Sequence, residues 1–174
     1  VSSLLVLTGP PGAGKSTVSR LLADRYEPSV LVEGDAFFGF LARGAIAPWL
    51  PESHEQNTTV ARGAAAATGV FAGGGYVTIY DGMVGPWFID TFAAGTGLPT
   101  LDYAILMPPL DACIERVAAR RDHGFRDEPA TRKMYDEFAR ASIDPRHVFA
   151  APPGAPESVA DLVGAAWEAG RLAR

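Results

Sequence analysis

Short apolar runs alternate along the chain with longer stretches in which apolar residues recur every three or four positions. Ser3–Thr8 is apolar almost throughout and stops at a Gly/Pro cluster, the pattern of a strand buried on both faces. From Lys15 to Tyr26, Val18, Leu21 and Leu22 share one helical face. Val30–Glu33 reads as a second short strand with Asp35 close behind it, and Ala36–Leu41 as a short helix. Residues 44–53 hold a glycine and two prolines and read as a loop. Ser53, with Gln56 three residues on, has the signature of a capping box for a long helix from His54 to about Ala72, which Gly73, Gly74 and Gly75 end. Tyr76–Tyr80 is a third strand with Asp81-Gly82 at its end. Pro86 suits the first turn of a helix running to about Ala94. Leu101–Met107 is a fourth strand, stopped by Pro108-Pro109. Leu110–Arg121 is an amphipathic helix, Asp122–Pro129 breaks the pattern, and Thr131–Ser142 is helical again. Arg146–Ala150 is a weak fifth strand. Pro156–Leu172 is the last helix, with Val159, Leu162, Val163, Ala166 and Trp167 inward.

Alternating strands and helices predict the α/β class: a mostly parallel sheet with helices on both faces. The 174 residues suit a single domain over 1–174, with no repeat or linker. The composition is 48% hydrophobic and 20% charged, and the net charge of −5 lacks the basic excess of a broad nucleic-acid surface. No apolar run approaches the roughly 20 residues that span a bilayer. The first strand is too short, and too soon interrupted, for a signal peptide. The one cysteine, Cys113, cannot form an intrachain disulfide. The expectation is a soluble, cytoplasmic protein without nucleic-acid or membrane partners; the sequence leaves its oligomeric state open.

The clearest chemistry lies between the first strand and the first helix. Gly9-Pro10-Pro11-Gly12-Ala13-Gly14-Lys15-Ser16-Thr17 matches G-x-x-x-x-G-K-[ST] in full, which is a P-loop. Its glycines permit backbone angles and close approaches that a Cβ would block. Its N–H groups converge on phosphate oxygens, and the following helix contributes its positive end. Lys15 supplies a point charge at the β- and γ-phosphates, and Ser16 is the expected Mg²⁺ ligand. The whole run, Gly9, Pro11, Gly12, Ala13, Gly14, Lys15, Ser16 and Thr17, is therefore the candidate nucleotide site.

No Asn-Lys-x-Asp guanine-reading segment is present, and the chain is short for a motor or transporter ATPase. The P-loop, Glu33-Gly34-Asp35 and Arg116…Arg120…His123 resemble the gluconate kinase and shikimate kinase group, to which chloramphenicol phosphotransferase is related. The resemblance implies a three-layer P-loop NTPase fold whose five-stranded parallel sheet has the order 2-3-1-4-5. It implies a substrate-binding insertion at about residues 36–72, a lid at about 121–133, and ATP with Mg²⁺ as cofactors. It also places the adenine between the lid base and the loop at about Ala150–Pro156, where no side chain fixes the base, so ATP over GTP rests on the resemblance.

Asp35 is the candidate base, since a kinase acting on an alcohol needs a carboxylate within reach of that hydroxyl. The end of a parallel strand beside the P-loop strand faces the ligand crevice. N-capping of Ala36–Leu41 is a compatible role. Asp81 reads as a Mg²⁺ ligand through water, as a substrate contact, or as an Asp-Gly turn. Arg116, Arg120, Arg121, Arg126 and Arg132 gather around the expected lid, where cations over the transferring phosphoryl group lower the barrier. Arg120 and Arg126 are the catalytic candidates. Arg116, with Arg120, is a nucleotide-binding candidate, or pairs with an acid. Arg43 and Arg62 suit an anionic acceptor, whereas Phe37, Phe38, Phe40 and Trp49 suit an apolar one or simply pack in the core. His54, Glu55, Asn57 and Trp87 complete the polar and aromatic set on this side. The expected reaction is transfer of the γ-phosphoryl group to a small-molecule hydroxyl. Rival readings are a nucleoside monophosphate kinase, a polynucleotide-end kinase and a nucleotide-dependent switch.

Overall fold

The computed structural model describes residues 3–119, 125–150 and 155–174. Five strands, β1 (Leu4–Thr8), β2 (Ser29–Glu33), β3 (Val77–Asp81), β4 (Asp102–Leu106) and β5 (Val148–Phe149), form one sheet in the order β2-β3-β1-β4-β5. Every pair in that ladder is parallel. The helices are α1 (Lys15–Ala23), α2 (Gly34–Phe38), α3 (His54–Gly73), α4 (Ile89–Thr96), α5 (Leu110–Ala118), α6 (Glu128–Arg140) and α7 (Pro156–Glu168).

The period-2 alternation of the strands divides the core. Leu5, Leu7, Ile79, Ala104 and Leu106 meet Val18 and Leu22 of α1 and Val159, Val163 and Trp167 of α7 on one face. Leu4, Val6, Tyr80, Tyr103 and Ile105 meet Ala64 and Ala65 of α3, Ile89 and Phe92 of α4, and Phe138 of α6 on the other. The three-layer α/β expectation and the strand order 2-3-1-4-5 therefore hold. The small residues of α3 have a purpose: a Cβ at Gly69 would collide with the Thr96 backbone, so α3 and α4 pack closely.

Several local expectations change. Ser53 makes no capping-box bond; it lies in a 3-10 turn (Pro51–Ser53) and its hydroxyl donates to the carbonyls of Pro48 (2.9 Å) and Leu50 (2.7 Å). Gln56 reaches sideways instead, accepting from Ile46 N and donating to Ile46 O, both at 2.7 Å. The pair thus staples the 44–53 connection onto α3. Pro129 does not break structure: α6 starts at Glu128, capped by Asp127, whose Oδ1 accepts from Ala130 N at 2.8 Å. The helix after β3 starts at Ile89 rather than at Pro86, following a turn closed by Gly85 O. Leu162 points outward, 59% exposed. The last helix ends at Glu168, after which the chain turns back along β4, with an antiparallel bridge between Asp102 and Ala173. β5 pairs only with Ile105 and Leu106, so this tail covers the β4 edge that β5 leaves open. Among the described residues no helix is long and apolar enough to cross a membrane.

Candidate functional site

β1 ends at Thr8, and the next residues wrap into the phosphate loop before α1 begins at Lys15. Gly12 (φ +78°) and Gly14 (φ +93°) hold left-handed angles that L side chains rarely adopt. A Cβ at Gly12 would also strike the Cys113 backbone on α5. Arg116, one turn further along α5, donates from Nη1 to the carbonyls of Gly12 (3.2 Å) and Ala13 (3.5 Å). Arg116 is therefore a brace on the back of the loop, and those two bonds are to backbone oxygens rather than to an acid. Lys15 Nζ donates to the carbonyls of Gly9 (2.9 Å) and Pro10 (3.1 Å), which holds its charge over the loop. Ser16 and Thr17 are exposed at the open end of α1. Cys113 is buried against this loop. Burial pushes its thiol pKa up, with Arg116 and Lys15 opposing.

Parallel pairing sets β3 beside β1, with Leu7 opposite Asp81, and β2 beside β3, with Glu33 opposite Asp81. The strand beside the P-loop strand is thus the one that ends in Asp81, and the strand before Asp35 lies one further out than expected. Asp81 is buried, yet its carboxylate accepts a hydrogen bond from Ser16 and faces the charge of Lys15. Burial raises its pKa; Lys15 and the Ser16 bond pull the other way, and Asp35 and Glu33 add a further upward push. Asp35 lies exposed in the first turn of α2, whose N-cap position is Glu33, so it does not serve as the N-cap. Its charge is felt by both Asp81 and the Tyr80 hydroxyl, which places it at the same end of the sheet. The Tyr80 phenol fills the notch between Gly34 and Gly82, the neighbours of these two aspartates; a Cβ at either glycine would collide with it. Sequence reasoning gave Tyr80 only a strand position, because nothing local shows that two glycines vacate space for it. Downstream of Asp81 the chain is pinned: Val84 N donates to Thr8 Oγ1 (2.9 Å) and Tyr103 donates to Val84 O (2.7 Å).

The remaining candidates are more dispersed. Arg43 is exposed on the connection after α2. Arg62 sits where α3 meets α4, its backbone beside Gly95 near the end of α4. That end of α4 feeds the amino end of β4, opposite the phosphate loop, so the fold does not bring Arg62 to the loop. Arg126 is exposed just before α6. Next to it, Phe125 is buried and stacks edge-on against Trp49, with ring centroids 4.9 Å apart. Arg120, Arg121 and His123 lie outside the described residues, as does most of the loop expected at the adenine. An open groove of about 760 Å³ runs between Pro86, Trp87 and the Lys133–Ser142 side of α6. Its charges are mutually satisfied, with Arg140 on Asp136 at 3.3 Å and Lys133 on Glu137 at 3.9 Å.

The family profile described as "AAA domain" matches residues 4–142. The chain belongs to the AAA domain family. No curated protein sequence matches it. Among solved structures, it is similar over 97% of its length to a sugar kinase from Janibacter sp. HTCC2649 (95% of that chain, 19% identity, TM-score 0.73). It is similar over 96% to the APS kinase of Mycobacterium tuberculosis, solved with AMPPNP and APS (98% of that chain, 16% identity, TM-score 0.69). It is similar over 97% to a gluconokinase from Sinorhizobium meliloti 1021 (94% of that chain, 19% identity, TM-score 0.62). At these identities the likeness establishes the fold of P-loop kinases, in line with the resemblance read from the sequence.

Proposed function

We propose that this AAA-family protein is an ATP-dependent phosphotransferase that moves the γ-phosphoryl group to a hydroxyl of a small-molecule acceptor. One observation carries the reading: two carboxylates, Asp35 and Asp81, share the sheet end that presents Lys15 and Ser16, and they differ in setting. Asp81 is buried and bonded to Ser16; Asp35 is exposed. Different environments suit different tasks.

Asp35 is assigned as the base. It takes the acceptor hydroxyl proton as that oxygen bonds to Pγ and the bond from Pγ to the β-bridging oxygen breaks, releasing ADP. Lys15 and the loop N–H groups hold the β- and γ-phosphates. Arg126, with Arg120, is assigned to the charge that grows on the equatorial oxygens. Ser16 and Asp81 offer a hydroxyl and a carboxylate oxygen, a donor pair that suits a hard cation keeping water and phosphate oxygens as its other ligands. Mg²⁺ bound there would neutralise phosphate charge. The acidic balance favours a small acceptor over a polynucleotide, and the free Cys113 suits a cytoplasmic setting.

The test is ADP release by purified protein offered Mg²⁺-ATP and a broad panel of sugars, acids and antibiotics. Release is expected to depend on an acceptor. Asp35→Asn should cut turnover by roughly 10²–10⁴-fold while ATP binding stays unchanged. ATP binding with no acceptor dependence across the panel would instead favour the nucleotide switch.

A further inference from the structure

The Trp49–Phe125 contact joins two parts of the chain that the sheet order keeps apart. Trp49 lies on the connection that grows from β2, and Phe125 lies between α5, which follows β4, and α6. In the order β2-β3-β1-β4-β5, two strands separate β2 from β4. At about 4.8 Å per strand, the two starting points are roughly 14 Å apart. The strands in between are β3, which ends in Asp81, and β1, which ends in the phosphate loop. The aromatic pair therefore bridges over the carboxyl ends that hold the site. Trp49 stays half-buried, so part of its indole is not used by Phe125. A second ring pair, Phe37 with Phe40 at 5.3 Å, lies on and just after α2, and Phe40 is 74% exposed.

Charge points the same way. The floor carries Asp35 and Asp81, with Glu33 beside them held by Arg20 at 3.1 Å. Of the two arginines suited to an anionic acceptor, Arg62 lies on α3 with its backbone beside Gly95 of α4, and Arg43 is exposed on a loop. Lys15 and Arg116 are engaged on the phosphate loop itself. An anion on the acceptor side would face these carboxylates, while Arg126, the exposed cation next to Phe125, is assigned to the transferring phosphoryl group rather than to the acceptor.

We infer that the acceptor is an uncharged alcohol that presents a flat apolar face, an aromatic or heterocyclic ring or the face of a glycoside, to Trp49. This rests on the phosphotransferase reading and names its substrate class. A flat ring suits an indole because offset or edge-on packing adds to simple area burial. An open-chain sugar acid has no such face and carries the wrong charge.

The experiment has two arms on the full chain with Mg²⁺-ATP. In the first, nucleosides and aryl glycosides are compared with matched sugar acids and nucleoside monophosphates by acceptor-dependent ADP release. Turnover in the neutral set is expected. Turnover confined to the anionic set, or no turnover in either set, overturns the inference. Binding of a fluorescent ATP analogue, measured alongside, separates this from failure of the underlying reading: intact binding with turnover of sugar acids leaves a phosphotransferase standing, whereas lost binding removes both. In the second arm, Trp49→Ala should raise the acceptor KM by about tenfold with the ATP KM unchanged, and Trp49→Phe should recover most of the loss. Equal effects on both KM values, or none on the acceptor KM, would show that the ring serves packing alone.

Discussion

Asp81 shows how one residue can set the needs of the site against the stability of the fold. An aspartate in an unfolded chain titrates at about 3.9. In the folded protein burial raises its pKa, with Asp35 and Glu33 adding to the rise and Lys15 and Ser16 only partly opposing it. For a raised carboxylate the sign is fixed. Its contribution to stability is complete below the unfolded pKa and is lost as pH rises through the folded value. At neutral pH, in metal-free buffer, the ionised group is thus a burden. Asp81→Asn keeps an oxygen for Ser16 and removes the charge, so the variant should melt at a higher temperature than the parent at pH 7. The gap should close as the pH approaches 3. Melting curves across that range check it; a variant that is less stable at pH 7 would show that Lys15 outweighs burial. With Mg²⁺ and a non-hydrolysable ATP analogue the order should reverse, because the parent alone then offers a carboxylate to the cation.

Among the elements, those with strong local signals were the readable ones. All five strands and the long helices follow from apolar runs and helical periods, because those patterns report which faces are buried. The phosphate loop is legible for a different reason: its chemistry is carried by consecutive backbone positions. What the sequence hid depends on partners distant along the chain. Gln56 looked like half of a capping box but has its bonding partner at Ile46. Pro129 looked like a breaker but occupies the first turn of α6, where its missing N–H does no harm. The Tyr80 notch needs Gly34 at the start of α2 as well as Gly82 just after β3, and Trp49 meets Phe125 from across the sheet. The start of α6 offers a direct check on capping. Asp127→Ala should destabilise the protein by about 1 kcal/mol, read from the urea midpoint at constant slope. No change would mean that the Ala130 N–H finds water equally well.

At the scale of the whole molecule, the sheet places its chemistry at one end and its closure at the other. The phosphate loop, Asp35 and Asp81 gather at the carboxyl ends of β1, β2 and β3, while the chain from Leu172 to Arg174 closes the amino end of β4. The packing of α5 on the phosphate loop joins the site to the rest of the fold. Gly12 lies against the Cys113 backbone, Arg116 bonds to the loop carbonyls, and the Cys113 side chain is sealed between them and the core. Because Cys113 is the sole cysteine of the chain, it acts as a built-in clock for that joint. A thiol reagent can reach it only when α5 lifts, so the labelling rate under native conditions counts openings rather than reactivity. Nucleotide binding should slow that clock, and Arg116→Ala should speed it even without nucleotide. Equal labelling rates in all three states would mean that the opening that exposes the thiol leaves the phosphate loop and its nucleotide in place and does not involve the Arg116 bonds.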